Sequence, residues 1–199
     1  SRLVTGTHPL FRELEKRLAR LKGTDDACVF GSGYLANLGI IPTLIGPDDL
    51  LIVDELSHAC IMAGGTLTQG PVYKFQHNDV DDVATLLTRH RSKHRRTLVV
   101  TDGVFSMDGD LAPVNELSVL CKAHDAWFMT DDAHGIGVIG AGRGSSFVGG
   151  KKAAVPLQMG TLSKAIGTYG GYLCAAQPVI DFMRTRARTF IYSTGLPPA

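Results

Sequence analysis

The sequence predicts an α/β fold: a mostly parallel, seven-stranded sheet with helices on both faces. Three observations carry this. Helical and strand-like stretches alternate along the whole chain, the pattern of crossover connections. Runs such as Thr97-Leu98-Val99-Val100-Thr101 are strongly strand-like. Polar and glycine-rich groups follow the strands directly, where open α/β sheets bind ligands.

Each element has its own signal. Leu10, Phe11, Leu14, Leu18 and Leu21 recur at helical spacing with Glu and Arg between them, and Gly23 stops that helix. Residues 27–30 form a strand ending in Gly31-Ser32-Gly33, and a helix follows over 34–45. Residues 50–53 are a strand, with a helix over 57–69. A strand over 72–75 precedes a helix over 80–90. The strand at 97–101 leads to a helix over 113–123, with Pro113 in its first turn. Further strands lie at 127–130, 157–160 and 171–175, and a last helix runs from 178 to about 188.

Composition bounds the function. A chain of 199 residues is one large domain and buries roughly 70% of its unfolded surface. With 44% hydrophobic and 20% charged residues it is not of the disordered class. A net charge of +1 implies no general attraction to nucleic acid. No apolar run reaches the length of a membrane span, and residues 1–6 lack a signal peptide's apolar core. Cys28, Cys60, Cys121 and Cys174 show neither CxxC nor zinc spacing, and read as reduced, buried thiols of a cytoplasmic protein without a metal.

Three patterns are set aside. Gly135-Ile136-Gly137-Val138-Ile139-Gly140 matches a dinucleotide fingerprint, but the residues after it form a loop and no acid follows at 153–159. It reads as a mobile glycine loop. The cations at 89–96 have no aromatic residue among them and read as a solvated helix end. Cys121 and His124 read as packing and surface residues rather than metal ligands.

Four strand-end segments carry the chemistry. Gly31-Ser32-Gly33-Tyr34-Leu35-Ala36-Asn37 opens a helix, whose N–H groups bind phosphate. Asp131-Asp132-Ala133-His134 puts acids after an apolar strand, and a third segment runs from Asp102-Gly103 to Asp110. Gly160-Thr161-Leu162-Ser163-Lys164 places a lysine among hydroxyl residues, where desolvation would free its amine for Schiff-base chemistry. An anion cradle, a strand-end acid and an imine-forming lysine are what pyridoxal 5'-phosphate (PLP) requires.

These residues, together with Ser57-His58-Ala59, Phe105-Ser106-Met107-Asp108-Gly109-Asp110, Thr161-Leu162-Ser163-Lys164 and Tyr192-Ser193-Thr194-Gly195-Leu196-Pro197-Pro198, resemble the α-oxoamine synthases of the fold-type I PLP superfamily. The resemblance covers essentially all 199 residues and implies an aspartate aminotransferase-like large domain. It implies that Lys164 holds the cofactor and then moves a proton, and that Asp131 pairs with the ring nitrogen. A unit charge pair at about 4 Å is worth about 4 kcal/mol at an effective dielectric of about 20. By the same resemblance His58 stacks on the ring, and His134, with Ser106 nearby, serves its phenolic oxygen. Ser32, Gly33, Tyr34, Thr161 and Ser163 hold the phosphate, and Thr194 reaches that of the partner in a homodimer.

The implied reaction is decarboxylative condensation of an amino acid with an acyl-CoA or acyl-carrier-protein thioester, giving an α-amino ketone. Asp131-Asp132-Ala133-His134-Gly135 and Ile191-Tyr192-Ser193-Thr194-Gly195-Leu196-Pro197-Pro198-Ala199 favour L-alanine and a pimeloyl thioester, as in biotin synthesis. Glycine or serine condensations, an aminotransferase and a non-catalytic fragment are the alternatives. Family members often carry Glu at the position of Asp102. They also begin before Ser1 and continue past Pro198 into a small domain with a carboxylate-binding arginine. Residues 1–199 are therefore expected to be the PLP-binding large domain of a longer enzyme, without the N-terminal segment and the C-terminal small domain.

Overall fold

The computed structural model describes residues 2–5 and 7–197. Pro198 and Ala199, part of the expected domain boundary, lie outside the described residues, as do Ser1 and Gly6. In chain order the elements are α1 (Arg2–Thr5), α2 (Pro9–Lys22), β1 (Asp26–Phe30), α3 (Gly33–Leu44), β2 (Leu50–Asp54), α4 (Ala59–Thr66), β3 (Val72–Phe75) and α5 (Val80–His90). They continue with β4 (Thr97–Asp102), α6 (Val114–Ala123), β5 (Trp127–Asp131), β6 (Leu157–Thr161), β7 (Gly171–Ala175), α7 (Gln177–Arg186) and α8 (Arg188–Ile191).

The strands form one seven-stranded sheet in the order β1-β7-β6-β5-β4-β2-β3. Pairing is parallel except where β7 meets β6 and β1. The reversal has a simple cause. Only residues 162–170 link β6 to β7, too few for a parallel crossover. Both faces are covered. Along β2, Leu51 and Val53 join one apolar cluster with Ile40, Ile41 and Ile180, while Leu50 and Ile52 join another with Val83, Leu87 and Leu117.

Local chemistry sets the boundaries. Gly23 ends α2 at φ 62°, and its N–H returns to the Ala19 and Arg20 carbonyls. α4 is shorter than the expected 57–69, because the hydroxyls of Thr66 and Thr68 donate to the Ala63 and Gly65 carbonyls and close the helix early. The last helix breaks at Ala187, whose ψ of 110° is extended, and resumes as α8, with Phe190 set edge-on to Phe30 at 5.7 Å. The basic run after α5 is tied down: Arg91 pairs with Asp125 at 2.7 Å and Arg95 with Asp49 at 2.8 Å.

The glycine stretch after β5 opens no helix. It folds as hydrogen-bonded turns, with an Ile136–Arg143 bridge and left-handed glycines at 140, 142 and 144. These turns enclose a buried ion pair. Lys22 Nζ lies 2.6 Å from Asp132 Oδ2, and both side chains are wholly buried. Lys22 also donates to the Arg143 carbonyl at 2.7 Å, and Asp132 Oδ1 accepts from the Ser145 N–H at 2.9 Å. A Cβ at Gly144 would lie 2.6 Å from Lys22 Nζ, so the turn has no room for a side chain.

All four cysteines are buried and free. Burial pushes the thiols of Cys121 and Cys174 up to about 12. Among the described residues no helix is long and apolar enough to cross a membrane. Lys22→Met is expected to destabilise the chain by about 3–5 kcal/mol, because Asp132 is left buried without its counter-ion. Urea unfolding at pH 7 measures this.

Candidate active site

The parallel strands deliver the expected segments to one edge of the sheet. β4 and β5 run in register, so their last residues, Asp102 and Asp131, are direct partners. β6 ends at Thr161, β1 leads into Gly31-Ser32-Gly33, and β2 leads through Asp54 to Ser57 and His58. Both aspartates are buried. β5 extends one residue beyond expectation, so Asp131 belongs to the strand itself.

Asp131 is held from two sides. Its Oδ2 accepts from Asn37 Nδ2 at 2.7 Å, and its Oδ1 accepts from the Ala133 N–H at 2.9 Å. Burial raises its pKa and Asp132 adds to this, while those two hydrogen bonds and the Lys164 charge oppose it. Asp102 Oδ2 accepts from the His58 N–H at 3.0 Å and so fixes the start of α4. Burial, with Asp131 alongside, pushes Asp102 up to about 7.

A short chain of polar groups links Asp131 to His58. Asn37 Nδ2 also lies 3.0 Å from Cys60 Sγ, which lies 2.9 Å from His58 Nδ1. Burial pushes the Cys60 thiol up to about 11, so it keeps its proton. His58 Nδ1 already accepts from the Cys60 N–H at 3.2 Å, so the thiol is the donor and the ring proton resides on Nε2. His134 is half-buried. Burial and the Lys164 charge hold it below its ordinary value against the pull of Asp131.

At the other side of the edge, α3 begins against β6. Ser32 Oγ caps the helix by accepting from the Leu35 N–H at 3.1 Å, so that hydroxyl is already engaged. The N–H groups of Gly33 and Tyr34, in the first turn, have no intrahelical acceptor. A Cβ at Gly33 would lie 3.2 Å from Thr161 Cβ. Thr161 Oγ1 donates to the Gly170 carbonyl at 2.8 Å and pairs with Ser163 Oγ at 2.9 Å.

One expectation needs correction. Lys164 is not desolvated: its loop is exposed from Ser163 to Tyr169, because the short β6–β7 link projects beyond the sheet. Ser106 lies in an exposed turn. Thr194 is exposed beside a cleft lined by Arg2, Phe11 and Phe30. Sequence reasoning assigned no role to Asn37 or Cys60. Asn37 had a signal, since it lies four residues after Gly33 on the same helix face.

The family model for aminotransferase class I and II matches residues 1–199. The chain belongs to that family. Within the aminotransferase class I and II family its similarity is to α-oxoamine synthases. An 8-amino-7-oxononanoate synthase of Beijerinckia indica is 63% identical over 199 residues, covering 100% of this chain and 52% of the relative. One of Methylocella silvestris is 65% identical, with 100% and 57% covered. A serine palmitoyltransferase of S. paucimobilis, solved with a PLP–myriocin aldimine, superposes with a TM-score of 0.94 at 38% identity, covering 100% of this chain and 50% of that one. The chain thus spans about half the length of the curated relatives it matches.

Asp102 sets a pH dependence. Its folded pKa lies above its unfolded value of 3.8, so the folded state holds the extra proton and stability falls as pH rises from about 4 through about 7. Asp102→Asn is expected to flatten that slope and to stabilise the chain at pH 8 by more than about 1.4 kcal/mol, the value of a tenfold change in proton affinity. Denaturant midpoints of both proteins across this range measure it.

Proposed function

We propose that the chain is the PLP-binding large domain of an enzyme that condenses L-alanine with a pimeloyl thioester, the 8-amino-7-oxononanoate synthase reaction of biotin synthesis. The observation that carries this reading is 63–65% identity over the whole chain to proteins of that name. The donor is a coenzyme A or carrier-protein thioester, the working form a cytoplasmic homodimer, and the rest of the enzyme lies in segments outside this chain.

The residues fit the cofactor. Asp131 is a buried strand-end carboxylate whose charged form is favoured by the Lys164 charge. A Cβ at Gly33 would crowd Thr161 at 3.2 Å, and two helix-start N–H groups have no intrahelical acceptor. When bound, PLP supplies an electron sink for the carbon next to the substrate amine.

The chain's own groups do the rest. Asp131 holds a proton at the ring nitrogen, and Asn37 and the Ala133 N–H fix its orientation. His58, oriented through Cys60 and Asn37, would cover the cofactor ring. His134 and Ser106 serve the phenolic oxygen. Gly33 and Tyr34 would give N–H groups to the phosphate, Ser32 shapes that helix start, and Thr161 and Ser163, whose hydroxyls lie 2.9 Å apart, would add hydroxyl contacts. Lys164, exposed beyond β6, would hold the cofactor through its amine and move the α-proton. Thr194 serves the partner's phosphate.

In the full-length enzyme, Lys164→Ala is expected to abolish borohydride-fixed cofactor and turnover, read by intact mass and product assay. Turnover at the wild-type rate in that variant would overturn the assignment. Asp131→Asn is expected to lower kcat by up to about a thousandfold, the worth of about 4 kcal/mol, with a smaller loss of cofactor retention by equilibrium dialysis. A product screen with alanine, glycine and serine against acyl thioesters of several lengths tests the substrate assignment.

A further inference from the structure

The connection after β3 carries an ion cluster that the proposed chemistry leaves unused. His77 stands between two acids: its Nδ1 is 3.0 Å from Asp54 Oδ1, and its Nε2 is 2.7 Å from Asp110 Oδ2. A neutral imidazole has one N–H and satisfies one of these; the imidazolium satisfies both. The acids come from separate parts of the chain. Asp54 is the last residue of β2, fully buried, and also accepts from the backbone N–H groups of Leu56 and Asn78, each at 2.9 Å. Asp110 lies in the 103–111 loop and also accepts from Asn78 Nδ2 at 2.7 Å.

The ring has further neighbours. Phe105, buried in the same loop, meets it edge-on with centroids 4.4 Å apart. The His77 N–H donates to Glu55 Oε1 at 3.1 Å. The loop is closed on itself by the Val104–Leu111 bridge and by the Phe105 N–H bond to the Asp110 carbonyl at 3.0 Å. It is therefore a compact unit joined to the end of β2 through one ring and Asn78. Ser106 sits at its outer turn.

We propose that His77 is a positioning residue: as an imidazolium it bolts the 103–111 loop, and with it Ser106, to the end of β2, and it releases the loop when the ring loses its proton. The role of Ser106 rests on the function proposed above; the bolt does not. Burial opposes the charge on His77, but the hydrogen bonds to Asp54 and Asp110 outweigh it and raise the ring above its ordinary value of 6.5. The bolt is complete below that value and is lost as pH rises through the raised one.

Amide hydrogen exchange in the full-length enzyme, read on peptides covering 103–111 and corrected for intrinsic rates, tests this without substrate. Wild-type protection of the loop is expected to fall several-fold between about pH 6 and about pH 9, while a β5 peptide stays constant. His77→Gln should start with the low protection and show no such fall. Asp110→Asn, on a partly exposed loop residue, should behave in the same way and decides the matter if His77→Gln does not fold. Wild-type protection that is flat with pH, or variants that match wild type at low pH, would overturn the proposal. Because exchange is read without turnover, its outcome stands apart from that of the condensation assay.

Discussion

Asp102 and Asp131 end adjacent parallel strands and face each other in register, both buried. Two carboxylates in that position cannot both ionise at low cost, and the Asp131 charge adds to burial in raising Asp102's hold on a proton. The surroundings of the two differ. Asp131 receives Asn37 Nδ2 and the Ala133 N–H, and feels the Lys164 charge, whereas Asp102 receives the His58 N–H. Asn37, the Ala133 N–H and the Lys164 charge favour the charged form of Asp131 against a burial that raises its pKa, and Asp102 is pushed up to about 7.

The same contacts set the geometry around the acids. Asp102 holds the start of α4, which presents His58 at the site edge. Asn37 reaches from α3 to both Asp131 and Cys60, and Cys60 fixes the tautomer of His58. Two helices are thus registered against one strand end by side chains that do no chemistry of their own. Behind them, the wholly buried Lys22–Asp132 pair anchors the turns after β5, next to the residue that faces the site.

Much of the site was legible because its segments sit at strand ends, and strand ends follow from apolar runs. Asp131 and Thr161 close such runs, and Gly33 and Lys164 lie three residues past one. The glycine stretch at 135–140 was legible as a non-helix for the same local reason. Asn37 and Cys60 were not read as site residues, because each lies inside a helix where packing and function look alike. Lys164 was misjudged because hydroxyl neighbours in sequence say nothing about how far a short link projects.

The alternation of elements, the helix stop at Gly23, the strand-end acids and the family were all determined by the sequence, because periodicity and local backbone preference are short-range properties. Tertiary structure decided what depends on residues far apart in the chain. It placed β7 between β6 and β1, paired Lys22 with Asp132, and set His77 between Asp54 and Asp110. The physical reason is that proton affinities and ion pairs are set by burial and by neighbours across strands, and neither is written in local order.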